Sequence, residues 1–435
     1  MKKIVEPRLL KGFRDFLPEK EMERKRIQSI LEKIFGQFGF VPIDTPVLEY
    51  TEVLLGKGGG ETDKQIYRFA DHGKRDVAMR FDLTVPFARF IAGNRSKLYF
   101  PFKRYHISKV WRGENTQRGR YREFTQCDFD IVGSDSPSSD FEILHLIYES
   151  FKGLNITNFN IRLSSREIFN RFLGHLGLGD KSVEILRSVD KITKIGRDKV
   201  FEILSSLSSG LKGEKILDFI MPEKDSNSTL LKISELAGGR GEDTERVEEI
   251  LEIVKELQID NYFTLDPSIT RGLDYYTGIV YETFLTDLPS MGSVCSGGRY
   301  NNLASTYTRE VIPGVGSSIG LDRLMAALEE LNTAEEKKQE TRVLIVLMDK
   351  NLVPYYHKLS SVLRKEGLPS EVYPEDKKIG TQFKFAEAKG IPIALICGGD
   401  EKGSGTVTIK NLLSRENHND IPLNKMVDFI RGLLK

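Results

Sequence analysis

The sequence predicts a mixed α/β protein: an α+β domain on an antiparallel sheet, a helical insertion within it, and a C-terminal α/β domain. Three observations carry this expectation. Tyr105 to Gly133 reads as two antiparallel arms around a polar turn, and strand and glycine signals return between Ile269 and Leu324. Between these regions, from about Phe172 to Leu257, the chain is mostly helical in pattern. Beyond Arg342, short apolar strands alternate with helical stretches, as in a parallel sheet crossed by helices.

Taken in order, the first helix is expected from about Glu19 to Phe38. Ile27, Ile30, Leu31, Ile34, Phe35 and Phe38 recur at helical spacing, and Gly39 supplies a stop. Phe40 to Ile43 reads as a short strand, broken by Pro46. The glycine-rich run Gly56 to Gly60 lacks the spacing of a phosphate-binding P-loop and reads as a mobile loop. Helical patterns follow at Ile168, Phe169, Phe172, Leu173 and Leu176, and again at Val247, Ile250, Leu251, Val254 and Leu257. The polar stretch Leu331 to Thr341 reads as a linker. Arg342 to Asp349 is a buried strand by composition, followed by strands near Glu371 to Tyr373 and at Ile391 to Cys397. The expected division is therefore 1–330, with an insertion at about 172–257, a linker at 331–341, and a second domain at 342–435.

Bulk properties narrow the class. The 435 residues suit two or three domains, and 64 basic against 63 acidic residues leave a net charge of +1. That balance excludes a polybasic coat but not a local phosphate-binding surface. Cys127, Cys295 and Cys397 form no CxxC pair, so a reducing compartment and no structural zinc site are expected. No stretch approaches the ~20 apolar residues that span a membrane. The N-terminal segment lacks the apolar run of a signal peptide, so the expected location is the cytoplasm.

The chemistry concentrates in four segments. In YHISKVWRGENTQRGRYREFTQCDFDIVG the second arm alternates with period two. One face carries Arg120, Arg122, Phe124, Gln126, Asp128 and Asp130; the other carries Tyr121, Glu123, Thr125, Cys127, Phe129 and Ile131. The first face reads either as a solvated surface with cross-strand ion pairs or as a platform for a base, phosphates and an amino acid. Arg112 and Glu114 add charge nearby. The second segment is RGLDYYTGIVYETF, where Arg271, Tyr275 and Tyr276 precede an apolar strand. Tyrosine hydroxyls donate and accept, which suits an imidazole. The third is CSGGRYNNL, with Gly297, Gly298 and Arg299. The fourth is PGVGSSIGLDRL, where glycines 314, 316 and 320 lead into a helix with Arg323 in its first turn. Absent side chains allow a nucleotide to approach the backbone, and a helix start favours anions.

In this order the segments resemble the class II aminoacyl-tRNA synthetases, and specifically the histidyl-tRNA synthetase family. Phe40 to Glu49 with the preceding helix resembles motif 1, with Pro46 as its proline. Arg112 to Phe124 resembles motif 2, and Gly316 to Arg323 resembles motif 3. RGLDYYTG and SGGRYNNL resemble the family's histidine-specific pair, and GTQFKFAEAKGIPIALICGGDE resembles its anticodon-binding domain. Where many bacterial members carry Pro-Glu-Gly-Thr, this chain has Phe81-Asp82-Leu83-Thr84, similar to another branch of the family.

The resemblance implies a two-step ligase and a role for each matching residue. Arg112 meets the α-phosphate and the attacking carboxylate, with Arg271 beside it. Phe124 stacks on adenine, Glu114 touches its edge, and Arg323 meets the terminal phosphate; Arg120 and Gly320 complete the ATP site. Asp82, Thr84 and Gln126 bind the α-ammonium group, and Leu83 belongs to the histidine site. Asp130 and Tyr276 read the imidazole, with Tyr275 lining the pocket. Gln117 and Arg118 reach the acceptor end of tRNA(His). Further implications are ATP carried with Mg²⁺, no protein-held metal, a homodimer and no membrane. A histidine-sensing regulatory subunit is the competing reading. Such proteins resemble the catalytic core but usually lack the C-terminal domain and an intact RGLDYY; this chain has both. A tRNA-sensing module without ligase activity would need eroded motif 2 and motif 3 arginines, and Arg112 and Arg323 are present.

Overall fold

A computed structural model describes residues 4–55, 65–270, 275–331 and 340–434. The chain forms two compact units, Met1–Arg14 with Arg26–Ala334, and Asp15–Lys25 with Glu335–Lys435. The expectations at Gly56 to Gly60, at Arg271 and across most of the linker lie outside the described residues.

The first unit is organised by an eight-stranded sheet. Its spatial order is Val41–Pro42, Phe102–Trp111, Glu123–Val132, Gly314–Gly320, Cys295–Arg299, Ile279–Leu285, Phe159–Ser165 and Phe263–Leu265. The six inner strands pair antiparallel, and only the two edge pairs are parallel. A parallel pair needs a long crossover. Between Phe159–Ser165 and Phe263–Leu265 that crossover is a run of helices from Arg166–His175 to Glu242–Glu256.

Period-two alternation assigns the two faces of this sheet opposite jobs. Cys127, Phe129 and Ile131 are buried against Ile27, Leu31 and Phe35 of the helix Pro18–Gln37 and against Phe141, Leu144 and Ile147 of Pro137–Gly153. The Phe129 ring lies 5.0 Å from that of Phe35. Burying one such side chain stabilises by about 1.5–3 kcal/mol, so a one-residue slip in register would be costly. Locked in this way, Gln126, Asp128 and Asp130 must face the other side. A smaller sheet of Leu48–Tyr50, Asp76–Met79 and Arg68–Ala70 delivers the chain into Arg80 to Thr84. Arg80 fixes that exit: buried to 1% exposure, it donates to the carbonyls of Thr45 and Lys109.

In the second unit Val343–Ile345 lies between the parallel strands Ser370–Val372 and Ile393–Ile396. The sheet then continues antiparallel through Thr406–Asn411 and Asn417–Pro422. The sheet is therefore mixed, not purely parallel as the sequence pattern predicts. The last strand, NHNDIP, is largely exposed and has no apolar run, so hydrophobic patterning gives no sign of it. Its pairing rests on a hairpin in which Arg415 takes a positive φ of 64°. Among the described residues, no helix is long and apolar enough to cross a membrane.

Candidate active site

The inner face of the large sheet carries three aligned rows of side chains. Arg104 pairs in register with Asp130, and Asp130 with Gly316; His106 pairs with Asp128, and Asp128 with Ser318; Ser108 pairs with Gln126, and Gln126 with Gly320. Successive rows lie about 6.6 Å apart, twice the strand rise. The result is a polar floor on an otherwise apolar sheet.

The first row is an ion pair. Arg104 Nη2 lies 2.7 Å from Asp130 Oδ2, with both side chains almost fully buried. The guanidinium also sits 4.1 Å from the Phe87 ring, a cation–π geometry. Tyr300 donates its hydroxyl to Asp130 Oδ1. Burial pushes the Asp130 carboxyl up, while Arg104 and the Tyr300 hydroxyl pull it down. Gly316 makes this cluster possible, because a Cβ there would lie 1.9 Å from Asp130 Oδ1. Gly298 does the same for Tyr276, whose ring would sit 2.8 Å from an added Cβ, and Gly314 for Tyr300 at 2.5 Å. These glycines therefore admit the protein's own side chains, a different use from the nucleotide approach that the sequence suggests. At Gly320 an added Cβ would make ordinary van der Waals contact, 3.8 Å from Arg323 Cβ and the Val294 carbonyl, so this glycine is not required by its neighbours.

The second row is short of donors. Asp128, 1% exposed, has its Oδ2 3.5 Å from Thr84 Oγ1, and its Oδ1 accepts no hydrogen bond from the described residues. Burial raises its carboxyl to about 7, opposed by Arg104, reinforced by Asp130, and opposed again by a hydrogen bond from the Ser318 hydroxyl. His106 is held down to about 3 by burial and by Arg104 and Arg80, so its ring is neutral. Its Nε2 lies 2.9 Å from Asp44 Oδ1; a neutral ring donates there, which leaves Nδ1 as a bare acceptor. In the third row Gln126 donates to Ser318 Oγ at 2.9 Å, and its Oε1 is buried without a partner among the described residues.

Asp82 approaches from the entry to the helix Thr84–Asn94. Its Oδ1 accepts the Val85 N–H at 3.0 Å in the first turn of that helix. Burial raises its carboxyl to about 6, against the Val85 bond, Arg112 and Arg104. Leu83 is fully buried and offers its carbonyl 3.5 Å from Arg104 Nη2. Thr84 faces Asp128 as above. Tyr276 is buried and Tyr275 half-buried, their ring centroids 4.7 Å apart, and Tyr275 meets Tyr300 edge-on at 6.4 Å.

Arg112 lies at the far end of the floor. Its Nε donates to the Phe81 carbonyl at 2.9 Å and its guanidinium is 5.1 Å from the Phe124 ring. The chain then turns tightly, with Gln117 and Arg120 bridged and Gly119 at φ +71°. Glu114 and Arg120 approach to 4.0 Å. At the tip, Gln117 and Arg118 are exposed, and Arg118 pairs with Glu330 at 2.8 Å. Arg323 Nη1 donates to the Ser293 carbonyl at 2.6 Å.

One sequence expectation changes. The strand begins at Glu123, so Arg120 and Arg122 do not continue the Phe124 face. Arg122 instead donates to the Glu114 carbonyl and packs where Gly12 lacks a side chain. Arg299, to which the sequence assigns no role, is fully buried and bonds Asp140 Oδ1 at 2.8 Å and the Ser134 carbonyl at 3.0 Å. Arg104, His106 and Tyr300 received no role from the sequence. Arg104, His106 and Ser108 alternate through FKRYHISKVW, so the period-two reading applied to the first arm exposes this polar row.

An antiparallel sheet with a helical layer behind it, a polar amino-acid floor in front, and a charged strand–loop–strand leading to Arg112 and Phe124 define a class II aminoacyl-tRNA synthetase. The family model for histidyl-tRNA synthetase matches residues 12–324, and that for the anticodon-binding domain matches 342–433. A histidine–tRNA ligase from Treponema denticola is 50% identical over 99% of both chains, and one from Rhodopirellula baltica 45% over 95% of both. The crystal structure of histidyl-tRNA synthetase from Nostoc sp. PCC 7120 superposes with a TM-score of 0.88 at 32% identity, covering 99% of this chain and all of that one. The chain belongs to the histidyl-tRNA synthetase family.

Proposed function

We propose that the polar floor around Asp130 is where this chain activates histidine with ATP before passing it to tRNA(His). As a member of its family the chain is a histidine–tRNA ligase, an enzyme that forms an aminoacyl-tRNA with ATP as substrate. The observation that carries the site assignment is the density of buried acceptors on one face. Asp82, Asp128 and Asp130 are all at least 95% buried, and such carboxyls persist only where cations or donors answer them. An amino acid with a basic ring supplies both.

On this reading Asp130 and Tyr276 bond the imidazole and Tyr275 lines it. Asp82, Leu83, Thr84 and Gln126 enclose the ammonium end. Phe124 stacks on adenine, Glu114 meets its edge, and Arg120, Gly320 and Arg323 hold the rest of ATP. The histidine carboxylate attacks the α-phosphorus, the bond to the β-phosphate bridge breaks, and pyrophosphate leaves. Two anions must meet, so Arg112 and Arg271 act by placing positive charge where it develops. Arg112 is suited to this because the Phe81 carbonyl braces its Nε, lowering the cost of orienting it. The terminal ribose hydroxyl of the tRNA then attacks the acyl carbon and AMP departs. No protein nucleophile is needed.

Among the described residues, no group of three or more His, Cys, Asp or Glu side chains is arranged to hold a metal ion. We assign Mg²⁺ to the substrate, carried on the ATP phosphates, where it would neutralise their charge. We read 1–330 as the catalytic domain with its insertion at about 172–257, 331–341 as the linker, and 342–435 as the anticodon-reading domain. Gln117 and Arg118 meet the acceptor end. Val41, Val47, Leu48, Tyr50 and Phe69 are exposed apolar side chains in and near the segment that resembles motif 1, and they support a homodimer. The location assigned is the cytoplasm.

The test is ATP–pyrophosphate exchange by the purified chain, with each of the twenty amino acids offered singly. Exchange with histidine alone is expected. Exchange with no amino acid would instead favour the histidine-sensing regulator.

A further inference from the structure

We propose that Asp128 contacts the α-ammonium group of bound histidine, as a third carboxylate of the pocket beside Asp82 and Asp130. The assignment rests on the histidine-ligase reading above and adds a residue to it. Three buried acceptors lie on adjacent rows of the floor with no donor from the described residues: Asp128 Oδ1, Gln126 Oε1 and His106 Nδ1. His106 stands directly across the strands from Asp128, and Gln126 two residues along. An unsatisfied buried polar atom costs about 1–3 kcal/mol, and more if charged. A native fold keeps such atoms where a ligand completes them. Buried donors without a partner among the described residues, Arg104 Nε and Nη1, lie one row away beside Asp130; the group that matches the three acceptors at the Asp128 end is an ammonium, which offers three N–H bonds and accepts none.

Spacing and charge agree with this. Asp128 and Asp130 are two residues apart on one strand, so their Cα atoms are separated by about 6.6 Å and their side chains share one face. That is the scale dividing the ammonium from the ring within one histidine, so Asp130 at the ring leaves Asp128 at the amine. Asp82 is partly committed, since its Oδ1 accepts the Val85 N–H. Within the floor, Arg104 is a buried cation already paired to Asp130. A second cation is therefore wanted at the Asp128 row, where Thr84 and Ser318 supply the polar walls.

Two imidazole ligands separate this role from a structural one. Histidinol carries the ammonium group, and 3-(imidazol-4-yl)propanoate lacks it. Their dissociation constants are measured by calorimetry on the full-length enzyme and on Asp128→Asn and Asp128→Ser. Asn keeps the volume and Ser releases it, so either variant that retains cooperative melting suffices. Histidinol binding is expected to weaken about tenfold or more, the scale of one bond to a charged group. Propanoate binding is expected to stay unchanged or tighten, because a carboxylate no longer faces it. Equal weakening of both ligands, or unaltered histidinol binding, overturns the assignment. If the unaltered enzyme binds neither ligand, the histidine-ligase reading fails first and the Asp128 role falls with it.

Discussion

Arg104 Nη2 and Asp130 Oδ2 meet at 2.7 Å in the floor of the sheet, with neither side chain accessible to water. The two residues are paired in register on neighbouring strands, so the ion pair is set by the hairpin itself. Removing either partner strands the other charge. Arg104→Met should therefore cost about 3–5 kcal/mol, seen as a lower denaturant midpoint for the sheet-bearing unit. A midpoint equal to that of the parent would mean that Asp130 protonates at little cost and the pair contributes nothing.

Tyr300 offers a gentler perturbation of the same carboxylate, since Phe keeps the ring that fills the space above Gly314. Tyr300→Phe removes one bond to a charged acceptor, worth about 1.5–3 kcal/mol. The KM for histidine should rise about tenfold or more, with the KM for ATP unchanged. A parallel rise in both would show that Tyr300 shapes the whole pocket and not the Asp130 carboxylate.

The raised carboxyls predict a pH dependence. Asp82 at about 6 and Asp128 at about 7 both bind protons more tightly in the folded protein than at the ordinary value of 3.8. Their contribution is fully present below pH 3.8 and is lost as pH rises through 6 and 7. The ligand-free enzyme should thus lose stability across that window, and Asp128→Asn should flatten the upper part of the loss. Melting curves of both proteins between pH 4 and pH 8 test this. Identical slopes would show that Asp128 titrates outside the window.

The exposed loop tip should separate the two steps of the reaction. Alanine at Gln117 and Arg118 removes groups that lie at the surface. Aminoacylation of tRNA should fall at least tenfold while ATP–pyrophosphate exchange stays near that of the parent. Equal loss in both assays would place the loop in adenylate formation instead.

Overpacking tests the glycine argument. Gly316→Ala sets a methyl group against the Asp130 carboxylate at 1.9 Å, a contact no rotamer of the new residue relieves. A cost of about 1–3 kcal/mol is expected, together with weakened histidine-dependent exchange. Full activity would mean that the Asp130 carboxyl swings aside without loss.

Several of these features are legible before folding. Alternation through EFTQCDFDIV assigns Gln126, Asp128 and Asp130 to one face because a strand admits only two sides, and the structure keeps that assignment from Glu123 onward. The same rule fails at Arg120 and Arg122, where the strand has not begun and tight-turn geometry governs direction. The strand Asn417–Pro422 was invisible because backbone pairing, not apolar burial, holds it in the sheet.

The sequence by itself determined the two faces of the second arm, the apolar stripes of the helices, and the residue types that crowd one face, because local periodicity acts within a few residues. Tertiary structure alone decided which of those residues share a charge. Arg104, Tyr300 and Asp130 are separated by up to 196 positions along the chain, yet form one buried cluster. Arg299, equally prominent in the sequence, was turned instead towards Asp140. Electrostatic partnership in a low-dielectric interior depends on distance in space and on desolvation, and neither is written in spacing along the chain.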